Sequence, residues 1–261
     1  MAQATVGARC TLRRSGDRTD PGRRDDDETS ERDDMALTEQ TRAEAVELAG
    51  RYPQSRSALL PLLHLVQSAE GTVTPDGIAL CAEVVGLTTA EVAAVATFYT
   101  MYKRHKVGRY HVGVCTNTLC AVLGGDAIWG ALSERLGVGH DEVTSDGLIS
   151  LERIECQAAC THGPVMTANW EFLDDMDVPR ALEVVEKLQR GEEVFSTRGP
   201  RIGTFQEIER LLAGFDDGLA GEGGKDDRML AGLSVAKDRG MTAPEGPAES
   251  PLAALAQKSE G

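Results

Sequence analysis

The sequence predicts an α-helical region followed by an α/β domain, with charged or glycine-rich chain at both ends. Helical apolar periodicity with capping and stop signals recurs over residues 35–106. Short runs of β-branched and aromatic residues then alternate with helical patterns over residues 107–190. Residues 1–34 carry seven basic and nine acidic side chains, and residues 191–261 are rich in Gly, Asp and Ala. We therefore expect disordered ends, the second of them a C-terminal extension with one short helix.

Four consecutive helices are predicted in the region 35–106, each marked by a cap or a glycine stop. In the first helix, Ala43, Val46, Leu48 and Ala49 form an apolar stripe that is expected to face the core. The predicted limits are Thr38 to Gly50 for the first helix, a start after Ser57 for the second, Thr74-Pro75 to Gly86 for the third, and a capping box of Thr88 and Glu91 for the fourth.

Aromatic side chains gather where the fourth helix ends. Residues 97–102 read Thr-Phe-Tyr-Thr-Met-Tyr, and a basic segment from Lys103 to Lys106, with Arg109, follows them. A packed helix end and a surface that binds a partner both explain the aromatic residues. A solvated turn and a docking site for an acidic surface likewise both explain the basic residues.

The α/β domain is predicted to place two cysteine pairs at the ends of neighbouring strands. A strand over Tyr110–Cys115 leads into the first pair, and a strand over residues 148–154 leads into the second. The other predicted elements are a helix over 121–136, a strand over 165–170 that continues into 171–173, and a helix over 177–190. This order is expected to bring the cysteine loops side by side at one edge of the sheet.

The C-terminal extension contains one further helix signal. Thr204 and Glu207 form a capping box that opens a short helix ending at Leu212. Packing onto its own domain and docking onto a partner subunit are both open for this helix. Beyond Gly214 the composition predicts chain that is disordered or that folds only on binding.

Charge and hydropathy exclude several classes of partner. A net charge of −15 over 261 residues opposes the binding of nucleic acid. The longest apolar run, residues 58–66, is interrupted by Pro61 and His64 and is much shorter than the ~20 residues of a membrane span. The charged head lacks the apolar stretch of a secretory signal, so we expect a cytoplasmic protein without a membrane span.

Four of the six cysteines form a candidate site. Cys10 lies in the charged head and Cys81 lies in an apolar helical pattern, so we interpret them as a bystander and a core residue. In a reducing cytosol, closely spaced cysteines are more often metal ligands or catalytic thiols than disulfides. The remaining four residues are Cys115, Cys120, Cys156 and Cys160.

Four thiolates are a complete ligand set for a [2Fe-2S] cluster or for a structural zinc ion, and disulfide or redox-thiol chemistry is a third possibility. Gaps of four and three residues favour the two-iron cluster, because zinc ribbons commonly use two-residue gaps. His111 and His162 are expected to be hydrogen-bonding neighbours of the site. The chain contains no phosphate loop, dinucleotide fingerprint or His-Glu-x-x-His motif, so no complete active site is expected on it.

Taken together, these residues resemble the 24 kDa, or E-type, family of NADH-quinone oxidoreductase (respiratory complex I) subunits. The motifs run in the family's order between residues 37 and 190, and they are Tyr52-Pro-x-x-Arg56-Ser-Ala-Leu-Leu-Pro61-Leu-Leu, Val95-Ala-Thr-Phe-Tyr-Thr-Met-Tyr102, Cys115-x4-Cys120 and Cys156-x3-Cys160-x-x-Gly163-Pro164. The resemblance implies a helical N-terminal region followed by a thioredoxin-like domain that binds one [2Fe-2S] cluster. By position, its ligands would be Cys115, Cys120, Cys156 and Cys160.

The resemblance also implies a function, which is electron transfer within the NADH dehydrogenase module of a proton-pumping complex I. FMN and NADH would bind to a partner flavoprotein subunit, and the large iron–sulfur subunit would be a second partner. The chain would then lie peripherally on the cytoplasmic side of the inner membrane. The alternatives are the equivalent diaphorase subunit of an NAD-linked hydrogenase or formate dehydrogenase and, from another class, a zinc-stabilised adaptor.

Overall fold

Four helices joined by short turns build the first part of the fold. The computed structural model describes residues 37–219, 223–224 and 227–241, so the predicted disordered head lies outside the described residues. The helices are α1 (Glu39–Gly50), α2 (Leu59–Glu70), α3 (Pro75–Val85) and α4 (Thr89–Phe98). Their predicted caps are confirmed: the Thr38 hydroxyl accepts the Thr41 amide at 3.1 Å, and Thr88 with Glu91 forms a capping box.

The apolar stripe predicted for α1 is partly wrong. The helix buries Thr41, Ala45 and Leu48, whereas Ala43 is exposed and Val46 is 63% exposed. Residues spaced by four and then three positions lie on one helical face, and this face packs against α2. Val46 is turned away from this face despite its apolar side chain.

Helix α2 is the centre of the helical region, as predicted. Its Leu62, Leu63 and Leu65 are almost completely buried, because α1, α3 and a later helix, α8 (Phe205–Leu212), all pack against it. The α8 helix buries Phe205 and Ile208. Of the two interpretations that the sequence left open for α8, the structure therefore supports packing onto its own chain.

A five-stranded mixed sheet forms the second part of the fold. The strands are β1 (Tyr110–Cys115), β2 (Glu142–Val143), β3 (Ile149–Ile154), β4 (Met166–Ala168) and β5 (Glu171–Leu173), in the spatial order β2-β3-β1-β4-β5. Only β1 and β3 are parallel among these described strands, and their register places Cys115 opposite Ile154. Both strands therefore end at the same edge of the sheet, which confirms the predicted placement of the cysteine loops.

Three elements differ from the predictions. The segment predicted as one helix over residues 121–136 forms parts of two helices, α5 (Thr118–Leu123) and α6 (Gly125–Leu136). Gly124 lies between them with a φ of +117°, which interrupts the helical conformation. The strand predicted over 165–170 is shorter, since Asn169 and Trp170 form a turn with positive φ. Strand β2 was not predicted, while α7 (Val178–Gln189) agrees with its pattern.

The two faces of β1 have different partners. Tyr110, Val112 and Val114 belong to an apolar core with α6 and α7. On the other face, His111 and Gly113 alternate with them, as strand geometry requires. The second face carries a buried polar cluster that connects the sheet to the helical region.

That buried cluster is centred on the carboxylate of Glu152. It accepts hydrogen bonds from Lys103 Nζ and His111 Nε2, both at 2.7 Å, while His111 Nδ1 lies 2.9 Å from the Ser150 hydroxyl. An ionised carboxylate only accepts hydrogen bonds, so His111 Nε2 carries the proton and Nδ1 accepts from Ser150. Lys103 is thus buried in an ion pair, while Arg104, His105 and Lys106 of the basic segment are exposed.

Acid is expected to destabilise the fold through this cluster. Burial lowers the pKa of His111 below its usual 6.5, so the unfolded chain binds a proton there that the native chain does not. Burial alone would raise the pKa of Glu152, but the His111 hydrogen bond and the Lys103 charge hold it at about 2 instead of 4.5. For both groups stability is present at higher pH and is lost on acidification.

We expect the urea midpoint to fall as the pH drops below 6.5 and again below 4.5. The Glu152 contribution amounts to roughly 3 kcal/mol above pH 5. A Glu152→Gln variant is expected to lose the second decline, since its amide does not titrate. Parallel curves for the variant and the wild type between about pH 4.5 and 3 would show that another carboxylate is responsible.

The C-terminal extension contains a helix that the composition did not predict, α9 (Asp227–Asp238). The assignment of residues 35–106 and 107–190 to separate domains stays a prediction.

Within the part of the chain that the structure describes, no single helix has the length and apolar character to cross a membrane. Two neighbouring helices, Pro75–Val85 and Thr89–Phe98, have enough length and apolar character for a membrane span only when they are counted together. The chain bends by 116° between them.

Candidate metal centre

The four cysteines that we call the cysteine site are brought together by the parallel strands β1 and β3. Cys115 is the last residue of β1, and Cys120 lies in α5. Cys156 follows the end of β3, and Cys160 begins a short 3-10 turn, Cys160–His162. Each strand thus delivers one pair of thiols to the same edge of the sheet.

The thiols form two pairs at the same end of the sheet. The sulfur atoms of Cys156 and Cys160 are 3.6 Å apart, close to the ~3.8 Å that two thiolates on one tetrahedral metal require when each metal–sulfur bond is about 2.3 Å. Cys115 and Cys120 pack in one buried cluster, and the Cys115 thiol contributes to the raised pKa of both Cys120 and Cys160. No three His, Cys, Asp or Glu side chains in the described ranges are grouped closely enough for one ion.

The two pairs differ in their exposure to solvent. Cys115 and Cys120 are buried against Ile154 and Val165, whereas Cys156 and Cys160 are exposed. Burial raises the pKa of Cys120 to about 11, and the neighbouring Cys115 and Cys160 thiols contribute to the same rise. The pKa of Cys160 is raised chiefly by Cys156. A metal must therefore displace protons from these thiols when it binds, so its affinity depends on pH.

Backbone conformation shapes the site in ways that the sequence patterns did not reveal. Ala158, between the second pair of cysteines, has a φ of +55°, which a residue with a side chain seldom adopts. A Cβ on Gly163 would lie 3.5 Å from the Cys120 sulfur. At Gly125, a Cβ would lie 2.5 Å from the Cys115 carbonyl oxygen and 2.9 Å from that of Cys120. The only sequence signal for this close approach was the glycine pair itself.

The Gly125→Ala variant is therefore expected to be destabilised by about 1–3 kcal/mol, because backbone atoms must move to admit the methyl group. Gly130 on the same helix is the matched control, since nothing lies within 4 Å of a Cβ there. Gly130→Ala is expected to stabilise the protein by about 0.5–1 kcal/mol through helix propensity. Urea unfolding of both variants tests this, and a stabilised Gly125→Ala would refute the close approach.

The other two cysteines and the two histidines named from the sequence lie in different parts of the chain. Cys81 is 1% exposed within the helical core and burial raises its pKa to about 12, so its interpretation as a core residue is confirmed. Cys10 lies outside the described residues. His111 is a hydrogen-bonding residue of the Glu152 cluster, and the buried His162 has its Nδ1 3.9 Å from Asp175 Oδ2.

Exposed apolar side chains occur beside the cysteine site and at the end of α4. Leu119, Val122 and Leu123 of α5 are 46%, 79% and 51% exposed. At the end of α4, Phe98 is 77% and Tyr99 46% exposed, and their rings contact each other edge to face. Of the two interpretations of this aromatic segment, exposure favours a surface that binds a partner.

The helices packed on the mixed sheet and the thiol pairs at its edge define a protein of the ferredoxin class with a thioredoxin-like fold. Residues 45–189 match the model of a family described as thioredoxin-like [2Fe-2S] ferredoxin. The chain belongs to this family, and within it to the E-type subunits of NADH-quinone oxidoreductase. It is thus a component of that enzyme, and its family implies one [2Fe-2S] cluster.

Two relatives and one solved structure are similar to this chain. The E-type NADH-quinone oxidoreductase protein of Mycobacterium tuberculosis (strain ATCC 25618 / H37Rv) is 53% identical over 206 residues, which cover 78% of this chain and 82% of that one. The second subunit of the Thermus thermophilus enzyme is 41% identical over 127 residues, 48% of this chain and 70% of that one. A crystal structure of an air-oxidized NAD+-reducing [NiFe]-hydrogenase matches 51% of this chain and 23% of that one, with a TM-score of 0.46 and 21% identity.

Proposed function

We propose that this chain is an electron-transfer subunit of the NADH dehydrogenase module of complex I, and that its four converging thiols hold the [2Fe-2S] cluster. Cys115, Cys120, Cys156 and Cys160 would be its ligands. The observation that carries the proposal is the arrangement of these thiols as two pairs at the same end of the sheet. The Cys156 and Cys160 sulfurs have a separation close to that of two ligands on one tetrahedral metal.

The protein around the thiols performs the tasks that such a cluster requires. When bound, the cluster takes up and releases one electron. The apolar side chains of Ile154 and Val165 keep water from the Cys115 and Cys120 sulfurs, and hydrogen bonding by the Val165 backbone opposes the rise that burial causes in the pKa of Cys120. Burial and amide donors of this kind tune the reduction potential of iron–sulfur centres. The exposed Cys156 and Cys160 would hold the cluster near the protein surface.

The proposed partners are a flavoprotein subunit, which binds NADH and FMN, and the large iron–sulfur subunit. The exposed Leu119, Val122 and Leu123 support a protein partner at the cysteine site, because a contiguous apolar surface is costly in water. Docking there would bring the cluster close to a cofactor of the partner. We further propose that the assembled chain lies on the cytoplasmic side of the inner membrane.

Metal analysis and spectroscopy of the purified chain test the cluster assignment. We expect a red-brown protein with about two iron and two sulfide per chain, whose visible absorption is bleached by dithionite. A colourless protein with one zinc per chain would overturn it in favour of a zinc-stabilised adaptor.

Co-purification tests the assembly independently of the cluster. Recovery with a flavoprotein and a membrane-bound quinone reductase is the expected result. Recovery with a soluble hydrogenase or a formate dehydrogenase would assign the chain to one of those enzymes, while the cluster assignment would stand.

A further inference from the structure

The loop that carries the second cysteine pair is attached to a turn further along the chain, residues 174–176. The Asp175 amide donates to the His162 carbonyl at 2.8 Å, and the Met176 amide donates to the Pro164 carbonyl at 3.0 Å. Asp175 has a φ of +54°, which is unfavourable for a residue with a side chain. The turn therefore needs further contacts to hold the conformation that presents these amides to the loop.

Helix α9 supplies such contacts through Arg228. Its guanidinium binds both carboxylate oxygens of Asp175, at 2.5 and 2.9 Å, and also donates to the Thr161 carbonyl at 3.2 Å. Thr161 directly follows Cys160. A single side chain of the C-terminal extension thus contacts the cysteine loop and the turn that supports it. The planar fork of arginine is suited to this bidentate geometry, whereas lysine is not.

A second contact brings the C-terminal extension to the same turn. The Gly224 amide donates to the Arg198 carbonyl. The Arg198 guanidinium binds both oxygens of Asp174, at 2.9 and 3.1 Å, and lies over the Phe172 ring. Asp174 and Asp175 are therefore each bound by an arginine of the C-terminal extension, Arg198 and Arg228 respectively.

We propose that Arg228 is a positioning residue for the cysteine site, which fastens α9 onto the loop of Cys156 and Cys160. Its two contacts oppose the opening of this loop and the release of its ligands. The proposal rests on the proposed function only for its spectroscopic test. The part of the C-terminal extension that contains α9 thereby acts as a strap on the ligand loop.

The expected effect is local. Arg228 and Asp175 have side chains that are 49% and 45% exposed, and exposed ion pairs contribute up to about 1 kcal/mol. Loss of this contribution raises the population of an opened loop by about two- to fivefold. These hydrogen bonds of Arg228 go to Thr161 and Asp175, which lie outside the strands β1 and β3, so the stability of the strands is expected to be unchanged.

Hydrogen exchange measured by mass spectrometry on the full chain tests the strap. In Arg228→Ala, the amides of residues 161–163 and 174–176 are expected to exchange about two- to fivefold faster, while those of β1 and β3 keep their rates. Arg239→Ala, at an exposed arginine beyond the end of α9, is the matched control and should leave the loop unchanged. Equal loop exchange in Arg228→Ala and the control would overturn the proposal.

The reduced-state EPR spectrum distinguishes positioning of the site from a purely structural contact. We expect shifted g-values in Arg228→Ala and a smaller shift in Arg228→Lys, which keeps the charge but loses the fork. Faster exchange with an unaltered spectrum would reject a role in positioning the ligands. A chain that binds no cluster would refute the proposed function, while the exchange result would still decide whether the strap exists.

Discussion

Replacement of Cys120 by serine is expected to abolish the [2Fe-2S] cluster or to force it into a rearranged form. Cys120 is 3% exposed and contacts Cys115, so its sulfur belongs to the buried pair. A serine hydroxyl has a much higher pKa than a thiol and binds iron only when its proton is lost, which burial opposes. Bound iron and sulfide are therefore expected to fall to a small fraction of the wild-type content.

The measurement is iron and sulfide analysis together with reduced-state EPR. Cys81→Ser is the matched control, because Cys81 is also buried but lies in the helical core, away from the four thiols. It is expected to keep its full complement of iron even if the fold is less stable. An unaltered EPR signal in Cys120→Ser would eliminate Cys120 as a ligand, and the assignment of the buried pair would fail.

The position of the cysteine site could be predicted from the sequence because its signals are local. A strand pattern ends at Cys115 and another ends just before Cys156, so two parallel strands suffice to bring the loops together. The detailed shape of the site could not be predicted in this way. A continuous helical periodicity spans Gly124, and the break there reflects the approach of Gly125 to the Cys115 carbonyl, a tertiary contact.

The polar interior was beyond sequence analysis for a related reason. Lys103 was recognised as part of a basic segment, but its partner Glu152 lies on another element of the fold. Periodicity indicates which face of an element is apolar. It does not identify the distant residue with which a charged side chain will form an ion pair. The same holds for Glu209, because the sequence predicted only the capping box and the end of the helix that contains it.

Glu209 connects α8 to both parts of the fold. Its side chain is completely buried and accepts hydrogen bonds from His64 Nδ1 at 2.6 Å, Gln67 Nε2 at 2.8 Å and Trp170 Nε1 at 2.8 Å. The first two donors lie on α2, and the third lies in the turn between β4 and β5. Gln67 in turn accepts the Lys103 amide, so this cluster continues into that of Glu152.

The Glu209→Ala variant is accordingly expected to lose about 3–5 kcal/mol of stability, the largest effect among the substitutions that leave the cysteines intact. The substitution opens a cavity and leaves three donors without their acceptor, two of them in buried hydrogen bonds and the third in a part-buried one. Urea unfolding of the full chain gives the loss from the midpoint, provided that the slope of the transition is unchanged.

Glu207→Ala on the same helix separates this cluster from the stability of α8 itself. Glu207 belongs to the capping box with Thr204, so its loss is expected to cost about 1 kcal/mol. A Glu209→Ala variant no less stable than Glu207→Ala would mean that the three donors find other acceptors. The larger loss at Glu209 would instead mean that the C-terminal extension, through α8, is an integral part of the fold that carries the cysteine site.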